Sequence, residues 1–595
     1  MTSLRVALPV GLLLLFGLTQ LGSLGMPHLQ NITLKLAGTP LQAIPLPWRA
    51  ASTRETSREK PDKFVIRGEL QYSGWMQTAI RIVPDDCIES IRINQRLIPI
   101  SSAGIPGACD VAGGFSFDFE GFLLPGKNTV EFNGVDFGNR KGLVFEGSWK
   151  SPLFALSLLG FFLIATGLMF LVLKRTRIEP VLIPLFLVAM GVQLFYLSRT
   201  PPLTRAMDII GHLDHITLVK QTGWIPKSNE CWECFQPPLY YYMAAIESRV
   251  LDPLVSYHAV EKGLQFLSFI LFQGFQLIAC LVLQLSLGAK KHWLGLAGAL
   301  LLFWPSGILH SAQIGNDVPS YLCQVLSFFF LLKWWDDPNP KHFERAALAV
   351  SLGFFVKSSA VVSLGMLAAV FLGRLQTLPS LAQRISLAKS VSRGWIRVGV
   401  ALVAFFSLLL FVKGVYLTKT SLLPAGLIVQ NQPLNYLWFD LHSFFHEAFL
   451  NNYEDVGGRQ FFWNYLLKSS LFGEYSYSDA WHQGLGTVLA AGLLGLTGLA
   501  GLGALVPGAL RMKNWEWHAL QIGACVAALM IYRIIQPYSV TGDFRYLFPA
   551  LVSLICFSIH GLRILAERAY SLLYGAGVML ILVFCLTSAA FYVTV

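Results

Sequence analysis

Apolar stretches of about 20 residues recur along nearly the whole chain, and this recurrence limits what it can fold into more than any single motif does. Such a stretch is long enough to cross the hydrocarbon core of a bilayer, and as a helix it satisfies its own backbone there. About thirteen candidate spans can be marked: 6–25, 152–173, 178–197, 262–287, 292–312, 318–335, 344–356, 358–373, 397–416, 485–507, 517–536, 544–563 and 570–593. The two on either side of Lys357 are short and fit a broken or re-entrant pair. With 54% hydrophobic and only 13% charged residues, the composition agrees with a multi-pass α-helical membrane protein.

Positive loops near span ends stay cytoplasmic, so Lys and Arg set the orientation. Arg5, Lys174, Lys290, Lys341, the run Arg374 to Arg397, Arg511 and Arg563 all fall on one side. The opposite loops, 26–151, 198–261, 313–317, 417–484 and 537–543, are then extracytoplasmic. The net charge of +11 reports this topology and argues against nucleic acid as a partner. A bacterial inner (plasma) membrane is the expected location. Residues 1–25 have a basic start and an apolar core but no clear small-x-small cleavage site, and read as a retained anchor.

Residues 26–151 are long enough for a domain of their own. Alternating runs such as Ala79-Ile80-Arg81-Ile82-Val83 and Phe115-Ser116-Phe117-Asp118-Phe119, set between Gly, Pro and Asn turns, predict a small β-sandwich. The stretch Ile91 to Ile100, then Phe117 to Glu146 with its Leu123-Leu124-Pro125-Gly126-Lys127-Asn128 turn, resembles the jelly-roll modules attached to carbohydrate-active enzymes, over roughly 60–147. Such a module either binds sugar or acts as a spacer. Cys87 and Cys109 lie in it on the oxidising side and are expected to pair. Cys231 and Cys234 form Cys-Trp-Glu-Cys, where a ring disulfide, a reactive dithiol and two free thiols all remain open.

The chemistry gathers between Met207 and Tyr242, where acids and histidines lie between two hydrophobic stretches. Asp208 is followed by His212, one helical turn on, and by Asp214; Glu233 and Gln236 precede Pro237-Pro238-Leu239 and an aromatic run. Gly315-Asn316-Asp317 stands at the outer end of one span and Gly542-Asp543-Phe544-Arg545-Tyr546-Leu547-Phe548-Pro549 at that of another. In this order the features resemble the GT-C superfamily of integral-membrane glycosyltransferases, in the group of the protein mannosyltransferases and aminoarabinose transferases. The resemblance covers about 178–595 and divides the chain into an anchor (1–25), the sandwich (26–151), a second span with its cytoplasmic turn (152–177) and a catalytic domain (178–595).

The resemblance implies an inverting transfer of a sugar from a polyprenyl-phosphate carrier to an extracytoplasmic glycan, lipid or protein. That reaction needs a base for the acceptor and positive charge on the departing phosphate. It assigns Asp208 as base, Asp317 as a second acid that orients the acceptor, and Arg545 as a phosphate clamp. Lys357, His212, Asp214, Glu233, Gln236 and Tyr546 are expected to bind substrate. A divalent cation, Mg or Mn, would have to sit on Asp208 and Asp317. Two departures stand out: Asp208 is followed by Ile209 where relatives often show an acidic pair, and Phe235-Gln236 stands where some carry Glu-Lys. A noncatalytic carbohydrate-binding subunit is the alternative. A transporter fits less well, because the acids gather at outer ends and no inverted repeat is evident.

Overall fold

The computed structural model describes residues 28–36, 42–43, 62–84 except 75 and 77, 87–100, 115–136, 143–147, 152–200, 202, 207–251, 257–288, 290–414, 432–447, 449–450, 459–477, 479–505, 512–537, 539–568 and 570–594. The expected anchor at 1–25 and Cys109 lie outside them; Cys87 is disulfide-bonded. The chain divides into two compact units, residues 1–172 with 198–205 and 250–263, and residues 173–197 with 206–249 and 264–595.

Strands of the first unit alternate as the sequence predicts. One antiparallel sheet has six strands in the order β2 (Gln42–Ala43), β1 (His28–Leu36), β3 (Asp62–Tyr72), β8 (Gly126–Asp136), β5 (Cys87–Ile93), β6 (Arg96–Pro99); the other has three, β7 (Phe115–Asp118), β4 (Ala79–Pro84), β9 (Leu143–Gly147). One side chain in two turns inward, so Phe64, Ile66, Ile82, Ile91 and Phe132 from the two sheets form one core. The β5–β6 hairpin turns on Asn94 and Gln95, both at positive φ, as a two-residue turn requires. Asn128 explains the turn motif: its buried amide accepts from Leu124 N at 2.8 Å and donates to Leu124 O at 2.7 Å. A jelly roll would divide eight strands between two sheets. Among the described residues the strands divide six against three.

The second unit is helical. Its elements, with two that run in from the first, are α1 (Pro152–Arg175), α2 (Leu182–Arg199), α3 (Ile209–Thr222), α4 (Leu239–Leu251), α5 (Tyr257–Leu287), α6 (Lys291–Leu302), α7 (Pro305–His310), α8 (Asp317–Asp336), α9 (Pro340–Val356), α10 (Val361–Gln376), α11 (Leu381–Ser390), α12 (Ser392–Ser407), α13 (Pro433–Leu437), α14 (Leu441–His446), α15 (Phe462–Phe472), α16 (Ala480–Ala504), α17 (Trp515–Ile535), α18 (Leu551–Glu567) and α19 (Ser571–Thr594). Among the described residues eight helical stretches are long and apolar enough to cross a membrane: 182–199, 260–287, 358–376, 392–412, 480–504, 515–535, 540–567 and 571–594.

Of the other five expected spans, 6–25 lies outside the described residues, 152–173 and 318–335 are helical as α1 and α8, and two are interrupted for local reasons. The stretch 292–312 breaks at Phe303-Trp304, where Pro305 starts a new helix because its fixed φ suits a first turn and it has no N–H to donate further back. The stretch 344–356 is a helix of 17 residues, Pro340–Val356, that ends at extended Lys357. Together α9 and α10 form a hairpin with Lys357 at its tip, which is the broken pair anticipated around that residue. Small residues close the packing between α16 and α18: a Cβ on Gly503 or Gly561 would lie 2.1 Å or 2.0 Å from a carbonyl oxygen of the other helix.

Candidate active site

Four charged side chains meet at the ends of four separate elements. Asp208 precedes α3, Asp317 opens α8, Lys357 ends α9, and Arg545 sits in the short 3-10 turn Phe544–Tyr546 before α18. Arg545 Nη1 lies 3.5 Å from Asp208 Oδ2 and 3.9 Å from Asp317 Oδ2. Lys357 Nζ is bound to Asp317 Oδ1. The phenol ring of Tyr546 carries both cations, Lys357 at 5.1 Å and Arg545 at 5.0 Å from its centroid, which holds them close together despite their like charge.

Asp208 is placed at a cost. It caps α3 in the left-handed region, φ 51° and ψ 23°, where a Cβ crowds the following carbonyl, and its carboxylate makes no capping bond. That carboxylate faces Arg545 instead. Non-glycine residues in such conformations persist where the surroundings over-determine them, characteristically at functional sites. Arg545 is buried, and the turn carrying it is fixed from two sides: Asp543 accepts from Arg545 N at 2.8 Å, and Ser469 Oγ on α15 accepts from Phe544 N at 2.9 Å. Arg545 Nε is a buried donor with no acceptor.

A relay of amides joins the remaining elements. Gln236 donates to Glu233 Oε2 at 3.0 Å and accepts from Asn316 at 3.1 Å; Asn316 also donates to Val356 O, next to Lys357. Glu233 lies in the turn Trp232–Phe235, which the Cys231–Cys234 disulfide closes into a ring, and Lys413 donates to Cys234 O at 2.6 Å. The turn packs on α3 so closely that a Cβ on Gly211 would sit 2.5 Å from Glu233 Cγ. Burial, and then the neighbouring Asp208, raises the Glu233 carboxyl well above the usual carboxylate range.

His212 is buried below the cluster. Its Nδ1 lies 2.8 Å from Tyr241 Oη and its ring packs on Gly315. Burial lowers its pKa to about 4, against the pull of Asp208 and Asp317, so the ring is neutral. His215, on the same helix face, has Nδ1 3.1 Å from Glu233 O. Asp214 is half-buried, about 200° around α3 from His212.

Of the anticipated residues, then, Asp208, Asp317, Lys357, Arg545 and Tyr546 are linked through Arg545 and Lys357, Glu233 and Gln236 adjoin them, His212 supports them, and Asp214 lies on another face of α3. Sequence reasoning passed over Asp543, Asn316 and Glu474. The first two lie inside the motifs that drew attention to Arg545 and Asp317. Glu474, bound to Tyr465 Oη and raised by burial and by Asp543, sits in a loop with no such signal. The aromatic segment Phe461 to Phe472 suits a membrane interface by composition, but α15 is buried along most of its length and supports the Arg545 turn from within.

A divalent cation does not fit here. Both carboxylates offered to it already face cations, Asp208 facing Arg545 and Asp317 facing Arg545 and Lys357. Among the described residues no three acid, His or Cys side chains are grouped to hold an ion.

No family model matches the chain, and no curated protein does. Two solved structures of ArnT from Cupriavidus metallidurans are similar to it. The apo form is 11% identical, over 59% of this chain and 72% of that one; the form bound to undecaprenyl phosphate is 10% identical, over 64% and 76%. Both give a TM-score of 0.28. A likeness that loose decides nothing about chemistry, which is left to the side chains.

Proposed function

We propose that this chain is an integral-membrane glycosyltransferase that takes a sugar from a polyprenyl-phosphate carrier and transfers it, with inversion, to an extracytoplasmic glycan, lipid or protein. The observation that carries this reading is one guanidinium set between two carboxylates, Asp208 strained and part-exposed and Asp317 buried, with a lysine on the second.

Each group has a task in that reaction. The acceptor hydroxyl attacks the anomeric carbon while its proton passes to Asp208, and the bond from that carbon to the phosphate oxygen breaks with its electrons going to the phosphate. Arg545 and Lys357 stabilise the charge that appears there. The contacts of Arg545 to the two carboxylates, at 3.5 Å and 3.9 Å, are long for charge-assisted bonds, and its Nε has no acceptor, so donors remain for the phosphate. Asp317 keeps both cations in place when no phosphate is present. No step runs through a metal.

Folded, monodisperse D208N, D317N and R545K proteins test this, with release of polyprenyl phosphate from polyprenyl-phosphate sugars as the readout. Loss of a base costs on the order of 10²- to 10⁴-fold, and loss of one charge-stabilising donor about 10²- to 10³-fold. Wild-type release that survives in all three variants rejects the site, and no release by the wild type favours a noncatalytic carbohydrate-binding subunit. Mass spectrometry of envelope glycans with and without the protein identifies the acceptor.

A further inference from the structure

The helix α11, Leu381–Ser390, takes no part in the site. None of its ten residues is buried; Leu381 is 73% and Ile385 46% exposed. A helix with no buried face gains little from tertiary packing and needs another partner to hold its shape. At about 100° per residue, Leu381, Ile385 and Ala388 form one narrow apolar stripe. Arg384 and Lys389 lie about 40° outside its two edges, and Gln383, Ser386 and Ser390 occupy the opposite face. Apolar residues flanked by cations, with hydroxyls and amides behind, suit a helix lying in a membrane–water interface.

Its place in the chain supplies the second argument. The span 358–376 ends four residues before α11 and the span 392–412 begins one residue after it. The helix is therefore tethered at both ends to the membrane surface, and the exposed apolar residues of those spans, Leu372 and Ile396 among them, adjoin it. Charge supplies the third. From Arg345 to Phe439 the chain contains no Asp or Glu. Arg397 is paired with Glu344 at 3.3 Å and Arg374 lies over Trp335, but among the described residues Arg384, Lys389 and Arg393 have no acidic partner.

We infer that α11 is a docking surface for acidic phospholipid headgroups, with Arg384, Lys389 and Arg393 binding their phosphates while Leu381 and Ile385 enter the acyl boundary. A basic residue at an anionic lipid surface contributes roughly a fivefold preference, so three together favour acidic over zwitterionic lipid by roughly a hundredfold.

Two measurements on the full-length protein test this. Native mass spectrometry after delipidation, with phosphatidylglycerol or phosphatidylcholine added back, is expected to show selective retention of phosphatidylglycerol, lost in R384Q/K389Q/R393Q. Equal retention of the two lipids by wild type, or unchanged selectivity in the triple variant, overturns the assignment. Limited trypsin digestion in nanodiscs is expected to spare Arg384 and Lys389 in phosphatidylglycerol and to cut them in phosphatidylcholine. I385D, which disrupts the apolar stripe and leaves the three cations in place, is expected to be cut in both. Wild-type cleavage that is equal in the two lipids means that α11 faces water and is open to a protein partner, which likewise overturns the proposal.

Discussion

At the scale of single residues, Asp208 and His212 show what the site costs. Asp208 holds a backbone conformation that glycine adopts freely, which separates its backbone cost from its chemistry. D208A and D208G both lose the carboxylate, and both are expected to lose sugar transfer. D208A is also expected to be less stable than D208G by about 1 kcal/mol, because only alanine retains the Cβ clash. Equal thermal midpoints would show that the left-handed geometry is not strained. His212 titrates in the opposite sense to a stabilising ion pair. Its pKa in the folded protein is about 4 against an ordinary 6.5. Between those values the unfolded chain takes up a proton that the folded chain refuses, so stability is lost as pH falls from 6.5 towards 4 and levels off below. In H212Q the fall in thermal midpoint between pH 7 and pH 4.5 is expected to be shallower than in wild type.

Elements position these residues by their ends. Helix starts and stops carry Asp208, Asp317 and Lys357, and a 3-10 turn carries Arg545, so the site is made where regular structure breaks off. The turn Trp232–Phe235 is the clearest case of an element set by its neighbour. Gly211 leaves just enough room for Glu233 against α3, so G211A should displace Glu233 without changing any charge. Transfer is expected to fall by about tenfold or more, since small displacements near a reacting centre are costly. G498A, on α16 with nothing within 4 Å of the added methyl, is the control and is expected to stay active. Unaltered transfer in G211A would show that Glu233 has no positioning role. The apolar pattern of this region made the helices legible, and the motifs around Asp317 and Arg545 made their ends conspicuous. Burial of α15 was not legible, because an aromatic, weakly amphipathic segment suits a membrane interface and a protein interior equally well.

On the scale of the whole molecule, the two compact units have separate cores. Phe132 is fully buried at the centre of the sandwich, and F132A is expected to cost about 3–5 kcal/mol there. Calorimetry should show one transition moving down and the one belonging to the helical unit staying in place; a common shift would mean that the units unfold together. What the sequence determined by itself was everything carried by periodicity: a helical membrane protein with a two-sheet domain, and the motifs in which Asp208, Asp317 and Arg545 occur. Periodicity is local, since burial repeats every 3.6 or 2 residues whatever lies opposite. Tertiary structure alone decided that Arg545 reaches an aspartate 337 positions away and that Lys357 reaches Asp317 across 40. Those contacts depend on where chain breaks meet in space, and no spacing along one chain encodes that.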